Sequence, residues 1–183
     1  MALTDEACLA FCEANPDLNL ERTREGEIVI VPPPEGESDF RTLGAGARLY
    51  EWVGGDGRGK PFGSSAQFPI PDGSGLSPDA AWVSNGRLAV LSKRERRQFL
   101  RLVPEFVIEV MSPSDRLVAA QKKMRLWAAN GVELGWLIDA DSRSVYIYSG
   151  TADPHLVSNA ESIAGEGPVE GLILPLGEIC AGL

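Results

Sequence analysis

One acid inside an otherwise apolar run constrains this chain more than any other feature. The segment Phe106-Val-Ile-Glu-Val-Met111 is apolar and β-branched except for Glu109, and it has the length of a strand. Strand side chains alternate between faces. Phe106, Ile108 and Val110 therefore point one way, and Val107, Glu109 and Met111 the other. A run this apolar is expected at the centre of a sheet, with both faces covered. A carboxylate buried there is costly unless it meets a cation, a metal or hydrogen-bond donors. The rest of the chain has to supply that partner.

At 183 residues the chain is long enough for one domain, 1–183, with a sizeable core. The net charge of −9 counts against a broad nucleic-acid-binding surface, because affinity for a phosphate backbone comes from Lys and Arg. It leaves room for a local basic patch. Lys93, Arg94, Arg96, Arg97 and Arg101 are the best candidates, although a solvated helix surface is the plainer reading of that run. No apolar run reaches membrane-spanning length, and the first residues lack the basic region and apolar core of a signal peptide. A cytoplasmic protein is expected. The three cysteines show no metal-ligand spacing and read as structural thiols. His155 is the sole histidine and lies in a loop-like stretch, which argues against a histidine triad or a histidine-bound zinc.

Along the chain, Thr4 caps a first helix whose apolar side is Leu3, Ala7, Leu9, Ala10 and Phe11, and Asn15-Pro16-Asp17 ends it. Residues 18–24 and 27–31 form a hairpin around Glu25-Gly26. Ser38 is placed to cap a second helix, with Leu43, Ala47, Tyr50 and Val53 at helical spacing. Residues 78–83 read as a strand that starts at a proline, and Asn85-Gly86 as a turn. Ser92 and Glu95 form a capping box opening a short basic helix. A helix from about Ser114 to Asn130 follows the Glu109 strand and ends at Asn130-Gly131. Residues 132–139 and 145–148 are strands joined through Asp141-Ser-Arg, and the apolar tail 169–179 folds back on the core.

Three residues then stand out: Asp79 at the head of one strand, Glu109 inside a second, and Lys123 on the helix after it. At 3.6 residues per turn, Leu117, Ala120, Gln121, Met124, Trp127 and Ala128 share one helix face, with Lys123 on its flank. Lys123 can lay its methylenes along the core and extend its ammonium toward the sheet. Since the helix returns over the strand that carries Glu109, the two are expected to converge. Two carboxylates and an ammonium suit phosphodiester cleavage: the acids hold Mg²⁺ or Mn²⁺, and the lysine activates or orients water beside it. Each residue also has an ordinary role open to it. Pro-Asp is a common turn pair, a strand acid can sit in a structural ion pair, and a helix lysine is usually solvated.

The order Asp, strand Glu, Lys resembles the PD-(D/E)xK nuclease superfamily. More closely, the chain resembles the Uma family, described as putative restriction endonucleases. The strings that carry this are Glu21-Arg-Thr, Gly26-Glu-Ile-Val-Ile-Val-Pro, Ser77-Pro-Asp-Ala-Ala-Trp-Val, residues 106–115, Lys123-Met-Arg-Leu-Trp127 and residues 131–139. The resemblance implies an α/β fold: a restriction-endonuclease-like mixed β-sheet flanked by helices, with an N-terminal helix and β-hairpins. It also implies a divalent metal held by Asp79 and Glu109, Lys123 as a catalytic lysine, and DNA as substrate. The superfamily places a lysine two residues after the acid; here that position is Met111, so Lys123 acts from the helix. Glu21 is a further acid near the site by this resemblance, and Gln121 faces inward, without either being assigned a role. A homodimer would suit double-strand cutting.

The competing reading is a catalytically inactive nuclease-like fold that serves as a binding or assembly module. Hydrolysis through Cys or Ser has little support, because no base is positioned for it.

Overall fold

The computed structural model describes residues 4–183. In chain order it begins with α1 (Asp5–Ala14), the strands β1 (Asn19–Arg22) and β2 (Ile28–Val31), and the long helix α2 (Gly36–Asp56). Then follow β3 (Gly59–Gly63), β4 (Phe68–Pro69), β5 (Gly75–Leu76), β6 (Ala80–Ser84), α3 (Asn85–Ala89) and β7 (Phe106–Val110). Next are α4 (Leu117–Ala129), β8 (Leu134–Asp139), β9 (Ser144–Ser149) and β10 (His155–Ser158). The chain closes with β11 (Ser162–Ala164), β12 (Ile173–Pro175) and α5 (Leu176–Cys180).

The Glu109 strand, β7, lies inside a six-stranded sheet of order β10-β9-β8-β7-β6-β3. β7 and β8 run parallel, and α4 makes the crossover that a parallel pair requires. The other pairs are antiparallel, so the sheet is mixed. A smaller sheet, β2-β1-β5-β4, carries the N-terminal hairpin, and β11 pairs with β12.

The alternation expected along β7 is what divides the core. Phe106, Ile108 and Val110 pack with Ala45, Leu49 and Val53 of α2 and with Leu172, Leu174 and Ile179 of the returning tail. Val107 and Leu137 face the opposite layer, with Phe68, Met124 and Trp127. Each of the five β7 residues is buried. Helices therefore cover both faces of the sheet, and Glu109 lies on the α4 side.

Several local expectations are corrected. Ser38 is not the cap of α2; Glu35 is, and Ser38 is buried in the first turn. The buried face of α2 is Ser38, Arg41, Ala45, Leu49 and Val53, whereas Leu43 and Tyr50 are 68% and 72% exposed. Both stripes repeat at helical spacing, so periodicity alone does not choose between them; packing against the sheet does. Asn85-Gly86 opens α3 rather than a turn, because the Ser84 hydroxyl accepts the Arg87 N–H at the helix start. The Ser92–Glu95 capping box forms, with bonds of 2.7 and 3.3 Å, but only one 3₁₀ turn follows. α4 begins three residues later than expected. The Asp115 carboxylate accepts the Ser112 N–H at 2.8 Å, and this local turn competes with the helix. His155 begins an edge strand instead of lying in a loop. Leu3, placed above on the first helix, lies outside the described residues. Among the described residues no helix is long and apolar enough to cross a membrane.

Candidate active site

Strand register brings the two acids together. β6 pairs antiparallel with β7, Ala80 opposite Ile108. Continuing that register by one residue sets Asp79 opposite Glu109, on the same face. The backbone agrees: the Val110 N–H donates to Asp79 Oδ2 at 2.7 Å. α4 then crosses this face and delivers Lys123 and, one turn later, Trp127.

Lys123 Nζ lies 3.0 Å from Glu109 Oε1 and 3.1 Å from Oε2. It also lies 3.0 Å from Glu21 Oε1 and donates to the Ser77 carbonyl at 2.9 Å. Its three hydrogens thus have three acceptor groups: Glu109, Glu21 and Ser77. Trp127 is fully buried and donates its indole N–H to Glu109 Oε1 at 2.9 Å. Glu21 is fixed in turn by the Ser77 N–H, at 3.1 Å. The hairpin sheet, the segment before β6, the central strand and α4 all meet at one ammonium.

Burial dominates the electrostatics. It pushes Glu109 up to about 8; Lys123 and the Trp127 N–H act against this, and the Asp79 and Glu21 carboxylates reinforce it. Burial also raises Asp79, opposed by the Val110 amide and Lys123. For Lys123 burial acts downward, but the Glu109 and Glu21 carboxylates outweigh it and hold the ammonium above the ordinary lysine range.

Asp79, Glu109 and Lys123 border a cleft of about 500 Å³. One wall is Val31–Pro34 with the start of α2; the other is the β7–α4 connection with Ser112, Ser114 and Asp115. Mg²⁺ takes oxygen donors, is bound through one or two carboxylates, and keeps several waters. Asp79 and Glu109 fit that requirement as facing residues on adjacent chain segments. Among the described residues no group of three or more His, Cys, Asp or Glu side chains is gathered as a metal site. An ion held here would therefore rest on two carboxylates and water.

The remaining candidates lie elsewhere. Gln121 is half-buried on α4 and does not line the cleft. Lys93, Arg94, Arg96 and Arg97 are exposed, and Arg101 pairs with Glu6 at 2.9 Å; none of these lines the cleft. The three cysteines are free thiols. The Ser77 carbonyl and the Val110 amide have no signature in the sequence, since backbone groups leave no residue-type signal. Trp127 did leave one: it shares the inward face of α4 and follows Lys123 by one turn.

The chain matches the family described as "Uma2: Putative restriction endonuclease" over residues 5–177. Its fold is similar to the crystal structure of a putative nuclease belonging to DUF820 from Anabaena variabilis. The TM-score is 0.78 at 20% identity, with 98% of each chain covered. No match was found among curated proteins.

Proposed function

The chain belongs to the Uma2 family, described as putative restriction endonucleases, and on that premise we propose that it is a metal-dependent endonuclease that hydrolyses DNA phosphodiester bonds, with Asp79 and Glu109 as metal ligands and Lys123 as the catalytic lysine. The observation that carries this reading is the meeting of two facing carboxylates and one ammonium at the floor of a cleft.

The charge balance of the cleft supports metal dependence. Among the described residues, the acids Glu35, Asp79 and Asp115 line it beside the buried Glu109, and Lys123 is the one cation there. A phosphodiester entering that field without a divalent ion would be repelled. When bound, Mg²⁺ or Mn²⁺ would polarise a phosphoryl oxygen and supply a more acidic water. The protein's own groups do the rest. Trp127 and Lys123 orient the Glu109 carboxylate, and the Val110 amide orients Asp79. Lys123, held as an ammonium by Glu21 and Glu109, orients water and offsets negative charge that develops on the phosphorane. A homodimer would present two such sites to the two strands of a duplex.

One observation favours the second reading, a nuclease-like binding module: every Lys123 hydrogen already has an acceptor within the protein. Incubation of supercoiled plasmid with Mg²⁺ separates the two. The nuclease reading predicts nicking or cutting by wild type and a loss on the order of 10²-fold or more in Asp79→Ala, Glu109→Ala and Lys123→Met proteins that remain folded. Equal activity in wild type and variants would rule out this site, and no activity in any of them would favour the binding module.

A further inference from the structure

A second cavity lies away from the acids, at the β3 edge of the six-stranded sheet. Among its lining residues are Lys60, Phe62, Asn85, Leu88, Arg96 and Leu100, and its volume of about 470 Å³ is that of a ligand pocket. Lys60 and Phe62 lie two apart on β3, so both side chains leave the same face of the strand. Phe62 is half-buried, with its ring at 84° to that of Phe68 and the centroids 5.8 Å apart. Leu100 is buried and Leu88 half-buried, so the floor is apolar, whereas Lys60 and Arg96 are exposed. Arg96 is anchored by its Nε–H, which donates to the Leu91 carbonyl at 3.1 Å and leaves the two terminal nitrogens free. Among the described residues no acid lines this cavity.

The charge beside the cavity is an independent observation. Arg96 belongs to the exposed run Lys93, Arg94, Arg96 and Arg97. Neither these residues nor Lys60 has an ion-pair partner among the described residues. Elsewhere on the surface arginines are matched: Arg48 by Glu178, Arg58 by Asp56 and Arg125 by Asp153. Glu95 is the acid within the run, and its carboxylate already accepts the Ser92 N–H at 2.7 Å. On a chain of net charge −9 this leaves one patch of uncompensated positive charge around an apolar pocket.

We propose that this pocket and the run 93–97 bind single-stranded nucleic acid, with one base against Phe62 inside the pocket and the adjoining phosphates on Lys60, Arg96 and the neighbouring cations. An aromatic ring flanked by cations is the pairing that unpaired strands take, since every base offers a flat face and every linkage a charge. A duplex keeps its bases stacked and offers the pocket only its backbone, so an unpaired strand is preferred. The choice of nucleic acid over another polyanion rests on reading the protein as a nuclease. The surface lies outside the cleft and holds no catalytic group. It supplies attraction for phosphate that the acids of the cleft do not.

The test is fluorescence anisotropy of a labelled oligothymidylate of about twelve nucleotides, titrated with the full chain in EDTA so that neither cleavage nor a metal in the cleft contributes. Each phosphate contact to a single strand adds about −0.7 to the slope of log K against log salt, so the five cations set a slope of about −3.5. The double variant Lys60→Gln/Arg96→Gln should make that slope shallower by about 1.4. Both residues are exposed, so its melting temperature should stay near that of wild type. Phe62→Leu keeps the apolar floor and should weaken binding about tenfold, the size of one base stack, with the slope unchanged. Lys122→Gln, an exposed lysine on α4, should change neither affinity nor slope. A wild-type slope in the double variant, an equal effect of Lys122→Gln, or equal affinity for a duplex of the same length would overturn the proposal. So would binding to vesicles of phosphatidylserine and phosphatidylcholine with none to the oligonucleotide. The expected binding in a protein that cleaves nothing with Mg²⁺ would uphold this surface and sink the nuclease reading. Metal-dependent cleavage at Asp79 and Glu109, with wild-type binding in the double variant, would do the reverse.

Discussion

Glu109 is a buried acid held by two side chains of α4, Lys123 and Trp127. Its burial is compensated by Lys123 and Trp127, and its proton affinity in the folded protein reaches about 8, against 4.5 for a free glutamate. The folded state therefore binds more protons than the unfolded state between those values. This contribution to stability is complete below the unfolded value and is lost as pH rises through the folded one. Urea denaturation of the metal-free protein should show a lower midpoint at pH 8.5 than at pH 5, and Glu109→Gln should flatten that difference. A midpoint that rises with pH in wild type alone would contradict the assignment. Lys123→Met has the matching signature. It leaves an uncompensated acid in the interior, which costs about 3 kcal/mol when the carboxylate is ionised. The cost should shrink at pH 5, where Glu109 can be neutral. Trp127→Phe keeps most of the ring but removes the N–H bond to a charged group, an expected loss of about 1.5–3 kcal/mol, readable in the same denaturation curves.

At the scale of elements, the central strand and its acid were legible because alternation has a period of two and admits one register once a face is buried. The apolar flank of α4 was legible for a similar reason, and with it the approach of Lys123 to Glu109. α2 was not: it carries two apolar stripes, and only the packed structure selects Ala45 and Leu49 over Leu43 and Tyr50. Glu21 could be named as a nearby acid, but its bond to Lys123 depends on how the hairpin sheet docks on the segment before β6, which no local pattern encodes. The pairing of β3 with β6 rests on another unpatterned detail. A Cβ at Gly59 would stand 2.5 Å from the Val83 carbonyl oxygen and press on the Trp82 ring. Gly59→Ala should destabilise by about 1–3 kcal/mol, the usual cost of overpacking. Unchanged stability would mean that this edge can relax freely.

For the whole molecule, the opposing facts are a net charge of −9 and a cleft with more acids than bases, in a family described as putative restriction endonucleases. A divalent ion at the proposed site would reconcile them, since it would neutralise the acids and draw in phosphate. A ligand that binds only the folded state stabilises it by about 2.7 kcal/mol at a hundred times its dissociation constant. Mg²⁺ should therefore raise the melting temperature of wild type and leave Asp79→Ala and Glu109→Ala unmoved. The most direct measurement is anomalous scattering from crystals soaked in Mn²⁺. The two-carboxylate site predicts a peak within coordinating distance of both the Asp79 and the Glu109 carboxylates, on the cleft side of Lys123. At saturating Mn²⁺, a peak held by other residues, or none in the cleft, would contradict it.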